Sequence, residues 1–222
     1  MHVASEPAIL YFGTPVVLVS TVNEDGSHNL APMSSAFWLG WRAMLGLSAV
    51  SKTTQNLQRT GECVLNLPSA DLVAAVDRLA RTTGADPVPE VKRRRGYRFE
   101  RDKFGIAGLT PVASESVAAP RVRECPVQLE AKLEAVHGLA AQDPALKGRV
   151  LILEVRVLRV HLEQAILLAG EPNRVDPDKW RPLIMSFQHF YGLGPRLHDS
   201  ILARIPESAY RSPDVDRARD AA

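Results

Sequence analysis

The chain has 222 residues, of which 45% are hydrophobic and 23% charged, a composition that predicts one ordinary globular domain with a real core. The formal net charge of +2 is too small to indicate nucleic acid or a membrane surface as the partner. The aromatic fraction of 6% also argues against a surface that stacks on bases.

The two cysteines, Cys63 and Cys125, both lie beside apolar residues, which predicts buried thiols in a reducing compartment. Neither they nor the histidines have the spacing of a metal site. Residues 1–7 lack the pattern of a secretory signal, and every apolar run is too short to span a bilayer. We therefore expect a cytoplasmic protein without a resident metal.

The first third of the chain predicts four strands and a short helix. A β-branched run at 16–22 is followed by Asp25-Gly26, which favours a tight turn into a returning strand over 27–37. Further strands are predicted at 43–50 and 63–67. Between them, residues 53–60 read as a helix that ends at Gly61.

Ser69 next predicts the N-cap of a helix over 70–81, with Leu72, Val73, Val76 and Leu79 on one face. Residues from about 82 to 100 predict an exposed insertion that carries the basic run 92–95. The basic run has two interpretations: a solvated loop, or attraction of a phosphorylated ligand or acidic partner.

Two long strands are predicted in the second half. Apolar and polar residues alternate over 127–135, which predicts a half-exposed strand although the composition would suit a helix. Over 150–162 the alternation slips between Arg156 and Arg159, which predicts a β-bulge near Val157 and Leu158. Long bulged strands are typical of a closing barrel.

A polar loop over 170–182 and an apolar, aromatic stretch over 183–191 complete the predicted domain, which spans residues 1–206. The charged tail 207–222 is expected to be mobile or packed on a partner. Six or seven strands without βαβ alternation predict a mainly β fold, an antiparallel barrel with peripheral helices. No GxGxxG motif is present, which excludes dinucleotide binding in the Rossmann manner.

Two polar segments could bind one ligand. Lys52 and Thr53 at a helix start favour a phosphate, because a helix N-terminus presents free N–H groups and partial positive charge. The alternative is that Thr53 only caps its own helix. Ser34 and Ser35, after Pro32, predict a backbone edge that could hydrogen-bond a heteroaromatic ring.

Residues 29–34, Asn-Leu-Ala-Pro-Met-Ser, resemble the Asn-x-Ala-Pro-x-Ser segment of the flavin reductase-like, FMN-binding split-barrel family, which includes flavoredoxin-like proteins. Residues 52–57, 60–66 and 119–126 resemble further segments of the same family in the same order. The resemblance covers roughly residues 10–195.

The resemblance implies a split β-barrel homodimer with one FMN per subunit near the dimer interface. The flavin would carry the chemistry, so that no catalytic side chain is required. The implied cofactor contacts are Ser34, Ser35, Ala36 and Phe37 at the ring, Ser51, Lys52, Thr53 and Asn56 at the phosphate, and His189 near the flavin.

The function that this implies is an FMN-dependent oxidoreductase, an NAD(P)H:flavin reductase that uses NADH or NADPH as the reductant. Electrons would pass through FMN to a free flavin, another small-molecule acceptor or a partner oxygenase. Two alternatives stay open: a non-enzymatic FMN-binding electron carrier or sensor, and an interaction domain that has lost the cofactor.

Overall fold

The structure is a computed structural model that describes residues 1–220. The strands are β1 (Phe12–Pro15), β2 (Val17–Val22), β3 (His28–Met33), β4 (Ala36–Leu39), β5 (Arg42–Ser48), β6 (Glu62–Leu67), β7 (Thr82–Thr83), β8 (Arg98–Phe99), β9 (Pro111–Val112), β10 (Arg121–Val122), β11 (Val127–Gly138), β12 (Val150–Leu162), β13 (Leu167–Leu168), β14 (Glu171–Val175), β15 (Ile184–Ser186) and β16 (His189–Tyr191). The helices are α1 (Lys52–Thr60), α2 (Val73–Arg78), α3 (Glu90–Arg93), α4 (Lys103–Ala107) and α5 (Pro213–Asp220).

A seven-stranded antiparallel sheet in the order β3-β2-β6-β11-β12-β5-β4 forms the centre of the fold. Val19 of β2 and Ala36 of β4 belong to the same buried apolar cluster, although their strands lie near opposite ends of the sheet. The sheet therefore curls around this core. Among residues 1–220 no backbone pairing joins β3 to β4, so the mainly β, antiparallel architecture is confirmed and the curled sheet is open at this seam.

The predicted β-bulge is confirmed. Ala131 lies opposite Val157 and Glu130 lies opposite Arg159, which leaves Leu158 as the extra residue. A second register shift lies between Leu133 and Ala135. Both bulges occur in the longest strand pair, where added twist helps the sheet to curl.

The prediction that 127–135 is half-exposed is wrong for its first half. Gln128 is 8% exposed and Glu130 is fully buried, because the segment 111–122 covers the outer face of β11. The Glu130 carboxylate accepts hydrogen bonds from the backbone N–H groups of Glu115 (2.9 Å) and Ser116 (2.5 Å). His161 Nε2 lies 2.8 Å from the same carboxylate. Alternation correctly placed the apolar face, but it does not show what covers the polar face.

The helix predicted over 70–81 is shorter than expected. A 3₁₀ turn at Ala70–Leu72 leads into α2, and helical structure ends before Arg81, which has a φ of 53°. Ser69 makes no capping hydrogen bond. The predicted apolar face is nevertheless correct, since Val76 and Leu79 are buried in a second core cluster between the sheet and the helices.

Both cysteines are buried, as predicted. Cys63 belongs to the apolar cluster around which the sheet curls, and Cys125 belongs to the second core cluster. Burial raises the pKa of the Cys63 thiol to about 12 and raises the pKa of Cys125 as well, so neither is a reactive thiolate. No helix within residues 1–220 is long and apolar enough to cross a membrane.

Two peripheral segments differ from expectation. The insertion is exposed over most of its length, but Thr82, Thr83 and Ala85 are buried. Within it, β7 pairs in parallel with β8. The tail folds back as α5, where Asp214 accepts a 2.9 Å hydrogen bond from Arg42. A charge pattern alone could not reveal this partner, which is distant in sequence. Residues 221 and 222 of the predicted tail lie outside the described part of the chain.

Candidate functional site

Helix α1 begins one residue earlier than predicted. The Ser51 side chain accepts a 3.1 Å hydrogen bond from the backbone N–H of Thr54, and Gly61, with a φ of 72°, ends the helix as expected. Ser51 is therefore the N-cap residue, and the alternative that Thr53 caps the helix is wrong. The Thr53 hydroxyl is left for another partner.

The first turn of α1 leaves backbone donors free. Among residues 1–220 the backbone N–H groups of Lys52 and Thr53 have no acceptor, as is usual for the first positions of a helix. These two donors and the positive end of the helix dipole favour an anion. The first turn contains no acidic residue that would compete for this position.

Buried amides and hydroxyls fix the start of α1 against the sheet. Asn29 Nδ2 donates to Thr21 Oγ1 (3.2 Å) and to Thr53 Oγ1 (3.1 Å). Asn56 Nδ2 donates to Thr21 Oγ1 (3.0 Å) and to Asn23 Oδ1 (2.8 Å). Thr53 Oγ1 accepts from Asn29, and its hydroxyl proton has no acceptor among residues 1–220; Thr53 as a whole is 3% exposed. Asn56 thus supports the site from beneath and, being fully buried, does not present its side chain at the surface.

Lys52 lies at the rim of this site. Its ammonium donates to Glu24 Oε2 at 2.7 Å, and its side chain is 18% exposed. The hydrogen bond from Lys52 is the main cause of the lowered pKa of Glu24. An anionic ligand at the start of α1 would compete with Glu24 for the same ammonium group.

The second predicted group of residues lies at the junction of β3 and β4. The Ser35 carbonyl accepts a 2.8 Å hydrogen bond from Gly46 N. A Cβ atom at Gly46 would lie 3.2 Å from Ser35 Cβ, so glycine permits the close approach. Ser34 and Ser35 are partly buried, Ala36 is buried, and Phe37 is 54% exposed.

The end of β5 brings the two groups into one region. Gly46 contacts Ser35, and two residues further along the strand the carbonyl of Ser48 accepts from Ser51 N (3.0 Å) and Thr54 Oγ1 (2.9 Å). Two residues of strand span about 7 Å. Ser34 and Ser35 therefore lie near one end of a short surface that has the free N–H groups of α1 near its other end.

Tyr11 is a residue that the sequence reasoning missed. Its hydroxyl lies 2.5 Å from Ser35 Oγ, and it comes just before β1, which pairs with β15. Nothing local to Tyr11 indicates this contact, because Ser35 is distant in sequence. The contact connects the small sheet β1-β15-β16 to the β3–β4 junction.

His189 lies on this small sheet. It is exposed and pairs with Ser186 across a turn made by Phe187 and Gln188. Both turn residues have positive φ, 46° and 67°, and the Phe187 ring packs edge-on against Phe12 with centroids 4.8 Å apart. Thus the described contacts bring Tyr11 to Ser35, whereas they do not bring His189 to any of the other predicted cofactor contacts.

Comparison with known proteins identifies the family. The family model described as "Flavin reductase like domain" matches residues 9–194 of this chain. A Bacillus subtilis (strain 168) protein, the uncharacterized protein YdfE, is 39% identical over 189 residues, which cover 85% of this chain and 88% of that protein. The chain therefore belongs to the flavin reductase-like family.

Two solved structures have a fold similar to that of this chain. Flavoredoxin of Desulfovibrio vulgaris (Miyazaki F) has a TM-score of 0.72 at 22% identity, with 91% of this chain and 99% of that chain covered. Nitrilotriacetate monooxygenase component B from Bacillus cereus has a TM-score of 0.67 at 22% identity, with 86% and 88% covered. At this level of identity both likenesses concern the fold alone.

Proposed function

We propose that the protein is an FMN-dependent oxidoreductase, an NAD(P)H:flavin reductase with the phosphate of FMN at the start of α1. The observation that carries the proposal is the first turn of α1. It combines two free backbone N–H groups, the Lys52 ammonium and the Thr53 hydroxyl beside a preformed buried network. These donors fit a phosphate, which accepts through several oxygens.

The ring of FMN would lie at the β3–β4 junction. Ser34, Ser35, Ala36 and Phe37 would line it, and the end of β5 connects this junction to α1. The polar backbone edge would hold the heteroaromatic ring in one orientation, and the exposed Phe37 side chain would supply apolar contact. FMN, when bound, would supply hydride transfer from NADH or NADPH, while the chain orients the ring and shields it from water.

A second copy of the chain would complete the site in a split-barrel homodimer. Several large apolar side chains are exposed around the ring position, and clustered exposed apolar side chains support an interface there. His189 would approach the flavin from this side. The large exposed apolar side chains near the junction and on the small sheet are Leu10, Tyr11, Phe12, Phe37, Leu39, Phe187 and Tyr191.

Absorbance and rapid mixing test the proposal. Purified protein should bind FMN with a flavin absorbance band, and mixing with NADH or NADPH should bleach that band within seconds. A protein that binds no added FMN would contradict the proposal. Reoxidation of the reduced protein by free flavin, by a small-molecule acceptor or by an added oxygenase component would then identify the acceptor class.

An electron carrier is the second candidate, and the likeness to flavoredoxin is the observation that favours it. A carrier would bind FMN and accept electrons from a reduced partner, and neither nicotinamide would bleach it. The same rapid-mixing measurement distinguishes the two candidates, because it observes the flavin and the reductant together.

Light scattering tests the homodimer; a monomer with full FMN occupancy would contradict the shared site.

A further inference from the structure

Among residues 1–220, Lys103 is the only buried lysine, with 3% of its surface exposed. The hydrogen bonds around it are made by Lys92, Glu100 and Asp102, and no hydrogen bond or ion pair within that range involves the Lys103 side chain. A buried ammonium group without a partner is costly. Burial is accordingly the main cause that lowers the pKa of Lys103 to about 7, and the charge of Lys92 adds to it.

We propose that the Lys103 amine is a site of reversible carbamylation by carbon dioxide. The lone pair of the neutral amine attacks the carbon of CO₂, so that an N–C bond forms while one C=O π bond breaks. The nitrogen then releases a proton to solvent, and the product is a carbamate with one negative charge. A neutral lysine is the nucleophilic form, and the reaction needs no oxidant or reductant and no flavin.

The surroundings of the amine suit a small uncharged reactant. The fully enclosed polar atoms that lack a partner do not include the Lys103 nitrogen, so the tip of the side chain keeps a narrow contact with solvent. CO₂ is a linear, uncharged molecule of three atoms and can enter without losing a hydration shell, whereas a hydrated anion would have to lose part of its shell. Burial of the remaining side chain also limits the return of protons that would reverse the reaction.

Lys92 supplies a cation that favours the product. Its ammonium donates to Thr83 Oγ1 at 3.2 Å and lies 5.6 Å from the centroid of the Tyr97 ring. Two neighbouring lysines repel each other when both are charged, but a carbamate beside Lys92 replaces this repulsion by attraction. Residues 81–103 contain eight Lys or Arg and four Asp or Glu, a net charge of +4 where the whole chain has +2. The carbamate would therefore form in a positively charged segment.

Glu100 acts in the opposite direction. Its carboxylate accepts a 3.0 Å hydrogen bond from a backbone N–H, and its negative charge raises the pKa of Lys103. Asp102 and Arg78 instead bond to backbone groups of α4, and the His28 ring packs against an aromatic side chain of α4. The charges named for their effect on the amine are therefore one cation and one anion, which should change the carbamate population in opposite directions.

Trapping and carbon-13 NMR test the proposal on the intact protein. The chain is equilibrated with ¹³C-labelled bicarbonate at about pH 7, near the lowered pKa, and the carbamate is converted to its stable ethyl ester with a triethyloxonium salt. Peptide mass spectrometry should locate the ester at Lys103, and Lys103→Met should lose both the ester and one carbamate resonance. Lys132→Met, at an exposed lysine of β11, is the control and should keep both. An unmodified Lys103 at saturating CO₂ would overturn the proposal.

Two charge variants give the electrostatic test. Lys92→Met should lower the carbamate population by roughly threefold, the effect of half a pKa unit, and Glu100→Gln, which keeps an acceptor for the backbone N–H, should raise it. A change in the same direction in both variants would contradict the assignment. Bicarbonate should also raise the midpoint of thermal denaturation in the unaltered chain and not in Lys103→Met. If inorganic phosphate at equal ionic strength stabilises the unaltered chain as much as bicarbonate does, the site binds an anion without a covalent bond and the proposal is wrong.

Discussion

The two ends of the proposed flavin site are built differently. At the phosphate end, Asn29 and Asn56 are buried and hydrogen-bonded to side chains of β2 and α1, so the geometry exists within a single chain. At the ring end, Phe12 is 73% exposed and Phe37 is 54% exposed, and the adjoining turn holds two non-glycine residues at positive φ. The proposed phosphate end is thus fixed by contacts within the described chain, whereas the proposed ring end leaves large apolar side chains exposed.

Asn56→Ala should produce the largest effect, because it removes the buried donor to Thr21 and Asn23. Asn23 Oδ1 would lose its donor, and Thr21 Oγ1 would keep only the hydrogen bond from Asn29. The free energy of unfolding should therefore fall by about 2–3 kcal/mol, as measured by urea denaturation. Ser35→Ala at the ring end should cost less than about 1 kcal/mol. Equal losses of unfolding free energy in Asn56→Ala and Ser35→Ala would contradict the contrast between the two ends. The control is Asn173→Ala, at an exposed asparagine of β14, which should change the free energy of unfolding little.

Lys52→Ala should weaken FMN binding by about 1–3 kcal/mol, the scale for loss of a charged hydrogen-bond partner. Because Lys52 is at the rim and Asn56 is beneath it, this variant should lose affinity and keep its stability. Fluorescence titration measures the affinity and urea denaturation the stability. Lys147→Ala removes an exposed lysine elsewhere and should change neither; unchanged affinity in Lys52→Ala would contradict the phosphate assignment.

The start of α1 could be predicted from the sequence better than the contacts of the β3–β4 junction, for a physical reason. A helix start is a local feature, so residues 51–61 sufficed to place α1 and its free N–H groups. Asn29 and Tyr11 act through contacts with residues distant in sequence. The bulge at Leu158 could be predicted because it disturbs a local alternation, whereas the burial of Glu130 depends on the covering segment 111–122.

Lys103, the first residue of α4, is a buried lysine. It is 3% exposed, and burial, together with the charge of Lys92, lowers its pKa to about 7 from an unfolded value of 10.5. The unfolded chain therefore binds an extra proton between about pH 7 and pH 10.5, and stability should rise with pH across this window.

Lys103→Met should remove this dependence. We expect it to raise the free energy of unfolding by about 1–2 kcal/mol at pH 6, where the folded lysine is charged, and to lose that advantage as the pH rises to 10.5. Urea denaturation at several pH values measures both effects. Lys132→Met, at an exposed position on β11, should show no such trend, and a pH-independent gain in Lys103→Met would contradict the assignment.

Gln188→Gly should have the smallest effect and is aimed at the ring end. Gln188 has a φ of 67°, which costs a non-glycine residue roughly 1 kcal/mol; glycine relieves this strain but adds freedom to the unfolded chain. The net gain in stability should be about 0.5 kcal/mol by thermal denaturation. The control is Ala140→Gly, which also places glycine at a positive φ, of 51°, but in the connection between β11 and β12. If both variants gain stability and only Gln188→Gly slows reduction of bound FMN by nicotinamide, the strained turn serves the ring end; an equal, unchanged rate in both would make the turn purely structural.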